Sequence, residues 1–301
     1  MKKLLSLLIC LVLLCAAALA EPAPSATPEE WYASGMALIE AERGARDYEQ
    51  AAEYFQSAAD AGHADAQYEL ARLYYYGNGT EVSLEKAYAL FCLAAEQGNA
   101  AAMNMIGYMY LYGEYVEENA EEAANWFRKS AEIGDPYGQY DLGWSYYVGE
   151  GVPLDYAEAL KWFTLSAEQD CDYGLYAMGR YYYDGKALEA DYAEAMKWFT
   201  LAVEQEDPDS MTYIGNMYYD GLGVEQDFVK AAEWYRRGAE ANDSDAQEKL
   251  AALYKEGIGV EQNLELAEKW LAVAEEEDYD TALEMVEEIL AAEEGGSELP
   301  E

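Results

Sequence analysis

Residues 136–171 read PYGQYDLGWSYYVGEGVPLDYAEALKWFTLSAEQDC, and the same 36-residue pattern recurs on both sides of them without an insertion. Steps of 36 from Phe163 land on Phe55, Phe91, Phe127, Phe199, Tyr235 and Leu271; steps from Ala159 land on Ala51, Ala87, Ala123, Ala195, Ala231 and Ala267. Seven copies therefore occupy residues 28–279. A fixed period of this length marks a solenoid, in which each unit buries its apolar face against the next.

Two helical periods are legible within the quoted copy. Residues 137–148 place Gly138, Leu142, Gly143 and Tyr146 on one face, and residues 156–169 align Ala159, Trp162, Phe163, Ser166 and Ala167. Glycine inside a helix costs about 1 kcal/mol relative to alanine. Its return as Gly107, Gly143, Gly179 and Gly215 therefore predicts a partner helix lying directly upon it. Gly149-Glu150-Gly151 ends the first helix, with analogues at Gly77-x-Gly79, Gly221-x-Gly223 and Gly257-x-Gly259, because glycine takes the left-handed conformation favoured there. Asp155 is an N-cap for the second helix, as are Ser83, Asn119, Asp191, Asp227 and Asn263. Pro28, Pro136 and Pro208 open first helices, where a missing N–H is tolerated. About one Trp and one Phe per unit are expected inside, with Trp126, Trp162, Trp198, Trp234 and Trp270 structural. Tyr74, Tyr110, Tyr146, Tyr182, Tyr218 and Tyr254 form a further structural row. The expected fold is all-α, a right-handed α/α solenoid, or superhelix, of helix-turn-helix repeats with a period of 36.

Outside the repeats, residues 1–20 read as a secretory signal peptide, with Lys2 and Lys3, an apolar run over 4–14 and Ala18-Leu19-Ala20 before Glu21. Cys10 and Cys15 follow Ile9 and Leu14, which are large where lipoprotein processing wants a small residue. The mature chain is expected to be exported, to a periplasm, a cell surface or the medium. Residues 21–27 form a Pro-rich linker, 280–292 a capping helix and 293–301 an acidic, disordered tail. Cys92 and Cys171 lie two repeats plus seven residues apart, too far in a solenoid for a disulfide, and are expected as separate, mostly buried thiols.

The chain carries 18 Lys and Arg against 60 Asp and Glu, a formal charge of -42. Such a surface repels phosphate backbones and anionic membranes, which excludes nucleic-acid binding and favours cationic partners. The sequence predicts no stable membrane insertion and a monomer.

The phrase Leu142-Gly143, Tyr146, Gly149, Gly151-Val152, followed by Ala159, Trp162, Phe163 and Ala167-Glu168-Gln169, resembles the Sel-one-like repeat, a relative of the tetratricopeptide repeat. The resemblance covers residues 28–279; the first copy is degenerate and the seventh has Ala251 in place of the glycine. It implies a noncatalytic adaptor that binds other proteins. In the related tetratricopeptide repeats, ligands lie on a concave surface lined by the first helix of each unit. Exported, cysteine-rich relatives linked to penicillin binding or hydrolysis carry a cysteine pair in every repeat, which this chain lacks, so that activity is not transferred.

Counting from Pro136 as position 1, the first-helix face opposite Leu142 and Tyr146 carries positions 5, 9 and 12. The candidate ligand-binding residues there are Tyr68, Arg72, Tyr75, Tyr108, Tyr140, Trp144, Tyr147, Tyr176, Arg180, Tyr183 and Tyr219. With Tyr32, nine of the 21 such positions are Tyr, against 29 Tyr in 301 residues, so the lane is enriched in the residue that gives rigid amphipathic contact. Two readings stand: a lane for an extended peptide or protein surface, or lateral packing between neighbouring first helices. A carbohydrate or cell-wall fragment is the alternative ligand, since Tyr and Trp faces stack on sugar rings. Arg72 and Arg180 are placed either to hold a carboxylate or glycan or to neutralise acidic neighbours.

No catalytic constellation is visible. His63, in a turn, is the single histidine, and chance places many carboxylate pairs among 60 acids. The Gly-x-Gly turns follow helices and lack the Lys-Ser/Thr of a nucleotide site. The expectation is no enzyme, no cofactor and no metal.

Overall fold

The structure is a computed structural model and describes residues 26–41, 45–187, 189–276 and 279–295. The expected signal peptide lies outside these residues, as do positions 296–301 of the expected tail. Among the described residues there are fifteen α-helices and no strand. They are α1 (Pro28–Ile39), α2 (Tyr48–Asp60), α3 (Ala64–Tyr76), α4 (Leu84–Glu96), α5 (Ala100–Tyr112), α6 (Ala120–Glu132), α7 (Pro136–Val148) and α8 (Tyr156–Ala167). There follow α9 (Asp172–Asp184), α10 (Tyr192–Glu204), α11 (Pro208–Asp220), α12 (Phe228–Glu240), α13 (Ser244–Glu256), α14 (Leu264–Ala274) and α15 (Tyr279–Gly295). None is long and apolar enough to cross a membrane.

Five of the seven helix pairs are held by the contact the glycines predict, Ala71 and Ala251 standing at that position in the other two. A Cβ at Gly143 would fall 2.6 Å from the Phe163 ring, and Gly35, Gly107, Gly179 and Gly215 meet Phe55, Phe127, Phe199 and Tyr235 in the same way. Those rings are buried, Phe55, Phe163 and Phe199 completely. First helices end on left-handed Gly77, Gly113, Gly149, Gly185, Gly221 and Gly257. The chain then turns back so that the cap residue of the second helix donates its N–H to the carbonyl of the tyrosine that recurs in register: Asp155 to Tyr146 at 3.0 Å, Ser83 to Tyr74 at 2.8 Å, Asp227 to Tyr218 at 2.9 Å. The Asp155 carboxylate accepts from the N–H groups of Ala157 and Glu158, closing the helix start.

The chain falls into two compact units, residues 1–130 and 131–301, divided within α6. In the first, Phe55, Leu70 and Leu73 form one core with Trp31 and Tyr32 beside it, and Phe91, Ile106 and Met109 form the next. In the second, successive cores gather on Phe163, on Phe199 with Ile214 and Met217, and on Leu250 with Trp270. A buried glutamine links stacked repeats in each: Gln97 donates to Gln67 and Gln169 to Gln139, both at 2.8 Å.

Two sequence expectations are corrected. Trp126, Trp162, Trp198 and Trp234 are half-buried rather than core, because they stand one residue, about 100° of helix, away from the buried Phe row. Lys129, Lys161 and Arg237 lie over the faces of Trp126, Trp162 and Trp234. In the seventh repeat the roles invert: Leu271 is 40% exposed and Trp270 is fully buried, in one core with Ala282, Val286 and Ile289 of α15. Cys171 is buried and Cys92 half-buried, both free, and burial raises both thiol pKa values.

Candidate functional site

In the first unit the lane residues lie on α3 and α5. Tyr68 leans on Phe91 with ring centroids 5.9 Å apart, and Tyr75 meets the same ring edge-on at 6.5 Å. The Tyr75 hydroxyl donates to Glu114 of the next repeat. Tyr108 packs on Phe127 at 5.2 Å. Arg72 reaches Glu69 at 3.1 Å, one turn away on its own helix. Burial raises the Glu69 pKa and Arg72 opposes the rise. His63 serves as the N-cap of α3: its Nδ1 accepts from the Ala66 N–H at 3.2 Å, and its ring stacks on Tyr32.

In the second unit, α7, α9 and α11 bring the rings of three repeats together. Tyr140 packs near Trp144, and Trp144 stacks on Tyr147 at 5.3 Å. Tyr147 is only 2% exposed, and its hydroxyl donates to Asp184 at 2.8 Å. Position 12 points at the following first helix, so Tyr147 supports the lane from below. Tyr219 packs edge-on against Phe228 at 5.2 Å. The contact rings are Tyr140, Trp144, Tyr176 and Tyr183, all half-buried.

Arg180 sits within a box of rings, its guanidinium carbon 5.0 Å from the Tyr213 centroid, 5.5 Å from Trp144 and 5.8 Å from Tyr176. Nη2 reaches Asp184 at 3.2 Å and Nη1 donates to the Tyr176 hydroxyl at 2.9 Å. Both lane arginines therefore pair with a carboxylate of their own helix, the arrangement that neutralises neighbours. Burial raises the phenol pKa values of Tyr140 and Tyr176, and it pushes Tyr183 up to about 12 with help from Asp220.

Positions 2 and 6 complete this face, and sequence reasoning passed over them. Tyr173 contacts Tyr140 at 5.2 Å, while Tyr213 contacts Tyr183 at 5.1 Å and Tyr176 at 5.9 Å. Asp209, also at position 2, has its pKa raised to about 6. Loss of hydration leads the causes, followed by repulsion from Asp207 and Asp243. The i, i+3 and i+4 offsets of positions 2 and 6 from positions 5 and 9 were the available signal. Among the described residues no group of three His, Cys, Asp or Glu side chains is placed to hold a metal ion.

A family model described as Sel1 repeat matches residues 36–63, 64–99, 100–135, 136–171, 172–207, 208–243 and 244–279. Among solved structures, c5321, a protective antigen of uropathogenic Escherichia coli strains displaying an SLR fold, is 37% identical with a TM-score of 0.60. That match covers 83% of this chain and 53% of the antigen, so the chain spans about half the antigen's length. A Sel1 repeat protein from Oxalobacter formigenes is 28% identical, covering 82% of this chain and 98% of that one, with a TM-score of 0.70. The immunity protein Pa5087 from Pseudomonas aeruginosa shares the fold at 20% identity, covering 76% of this chain and 85% of that one, with a TM-score of 0.53. A search of curated proteins returned no match. Seven matched repeats over most of its length place the chain in the Sel1-repeat family, whose members are in general noncatalytic scaffolds for protein interaction.

Proposed function

We propose that the chain is an exported, noncatalytic adaptor that recognises an extended peptide or protein segment on the first-helix face of its second unit. The observation that carries this reading is the continuity of partly exposed rings across three repeats, from Tyr140 through Tyr173 and Tyr176 to Tyr213. Rigid aromatic faces with polar tips give contact area at low entropy cost, and they are what hot spots are made of. Export rests on residues 1–20, and it is supported by the likeness to a protective antigen, a role that needs immune access.

One experiment addresses both parts. Immobilised chain and a Trp144→Ala/Tyr173→Ala variant, matched for helical signal and melting temperature, are exposed to the native exported fraction, and the N-terminus of the endogenous chain in that fraction is read. The expected result is a protein held by the parent chain alone and a mature chain that begins at Glu21. Equal capture by both forms removes the face, and an N-terminus at Met1 removes the cleaved signal.

A further inference from the structure

The rings of the second unit stand among carboxylates, while the arginine on the same face is already engaged. Asp184 holds Arg180 at 3.2 Å and Lys186 at 3.7 Å. Asp209 of α11 and Asp245 of α13 are different: neither has an ion-pair partner among the described residues. Asp209 holds position 2 of α11 and Asp245 position 2 of α13, the register position from which Tyr173 of α9 meets Tyr140 of the preceding repeat, so both carboxylates belong to the face of the rings. A carboxylate with no direct ion pair beside ring faces suits a cation on an apolar stem, because the stem covers the ring while the head meets both the ring quadrupole and the carboxylate.

Building on the peptide-binding reading above, we infer that the segment seated on this face is basic, with Lys or Arg side chains lying over Tyr140 and Tyr173 and reaching Asp209 and Asp245. Charge complementarity selects this occupant. With 60 acidic residues against 18 basic ones, the chain repels an acidic segment at long range and steers a basic one in. An anionic group would have to take Arg180 from Asp184 and leave that carboxylate, 15% exposed, with only the longer ion pair to Lys186 at 3.7 Å. Geometry adds a spacing. A polyproline II segment returns to the same face every three residues, about 9 Å along its axis, close to the roughly 8–10 Å between packed helices. Its basic residues therefore recur at every third position.

The test uses the full chain and a labelled peptide of about twelve residues, in polyproline II conformation, with Lys at every third position and Pro or Ser between. A counterpart carries Glu in place of Lys. Binding is read by fluorescence anisotropy. The Lys peptide is expected to bind, the Glu peptide not, and Asp209→Asn/Asp245→Asn to weaken binding by about fivefold or more. Glu168→Gln/Glu204→Gln removes the same charge from the second helices and is expected to change it by less than about twofold. Equal loss in the two variants reduces the effect to diffuse charge and overturns the inference. Binding of the Glu peptide that is lost on Trp144→Ala overturns it too while sparing the peptide-binding face. Lys-peptide binding that survives Trp144→Ala overturns both.

Discussion

Gly143 shows how one missing carbon sets the distance between two helices. Its absent Cβ is the space that Phe163 fills, and Phe163 is fully buried. Gly143→Ala is expected to destabilise the chain by about 1–3 kcal/mol, the usual cost of overpacking a dense core, measurable by urea unfolding; a change below a few tenths would show that Phe163 yields freely. Asp209 carries the other residue-scale consequence. Its folded pKa of about 6 lies above the ordinary 3.8. The native state therefore holds the proton more tightly, so this contribution to stability is full below about 3.8 and disappears as pH rises through about 6. Asp209→Asn is expected to be more stable than the parent at pH above about 7 and equal to it below about 4. Melting curves across that window decide the point, and a pH-independent difference would contradict it.

At the scale of elements, each second helix is started by a capping carboxylate, amide or hydroxyl, and it is tied back to the preceding first helix through a tyrosine carbonyl, or through Leu38 in the first repeat. The last element has a different task. α15 lays Ala282, Val286 and Ile289 into the core that holds Trp270 and Val273, so the terminal repeat keeps a covered apolar face. A solenoid end without such a cap exposes one repeat interface to water. Ending the chain after Glu276 is expected to shift Trp270 emission to longer wavelength and to lower the melting temperature. An unchanged spectrum from a variant retaining Trp270 as its sole tryptophan would show that α15 does not seal that ring.

For the molecule as a whole, the period, the helix boundaries and the capping residues were legible in the sequence because they rest on local stereochemistry repeated in register. The Gly-to-Phe pairing was legible as well, since a costly residue recurring at one place has to be offset by packing. The lane was legible only in outline. Tyr140, Trp144 and Tyr147 share one helix face in the sequence, but α9 covers Tyr147 and leaves Trp144 half-exposed. Arg180 looked available until the fold showed it between three rings, although Asp184 at i+4 hinted at the pairing. Tyr173, Asp209 and Tyr213 became part of the face because the next repeat's helix carries them to it.

The sequence by itself determined an all-α repeat architecture, its unit length, the start and stop of its helices and its large negative charge. These follow from periodicity, backbone preference and composition, each of which acts within one repeat or by simple counting. The tertiary structure alone decided which aromatic side chains are load for the core and which meet solvent, which charges are paired, and that Trp270 rather than Leu271 is buried in the last repeat. Those outcomes depend on which of several possible neighbours each side chain meets, as α15 does Trp270 and Asp184 does Arg180, and the local pattern does not choose among them.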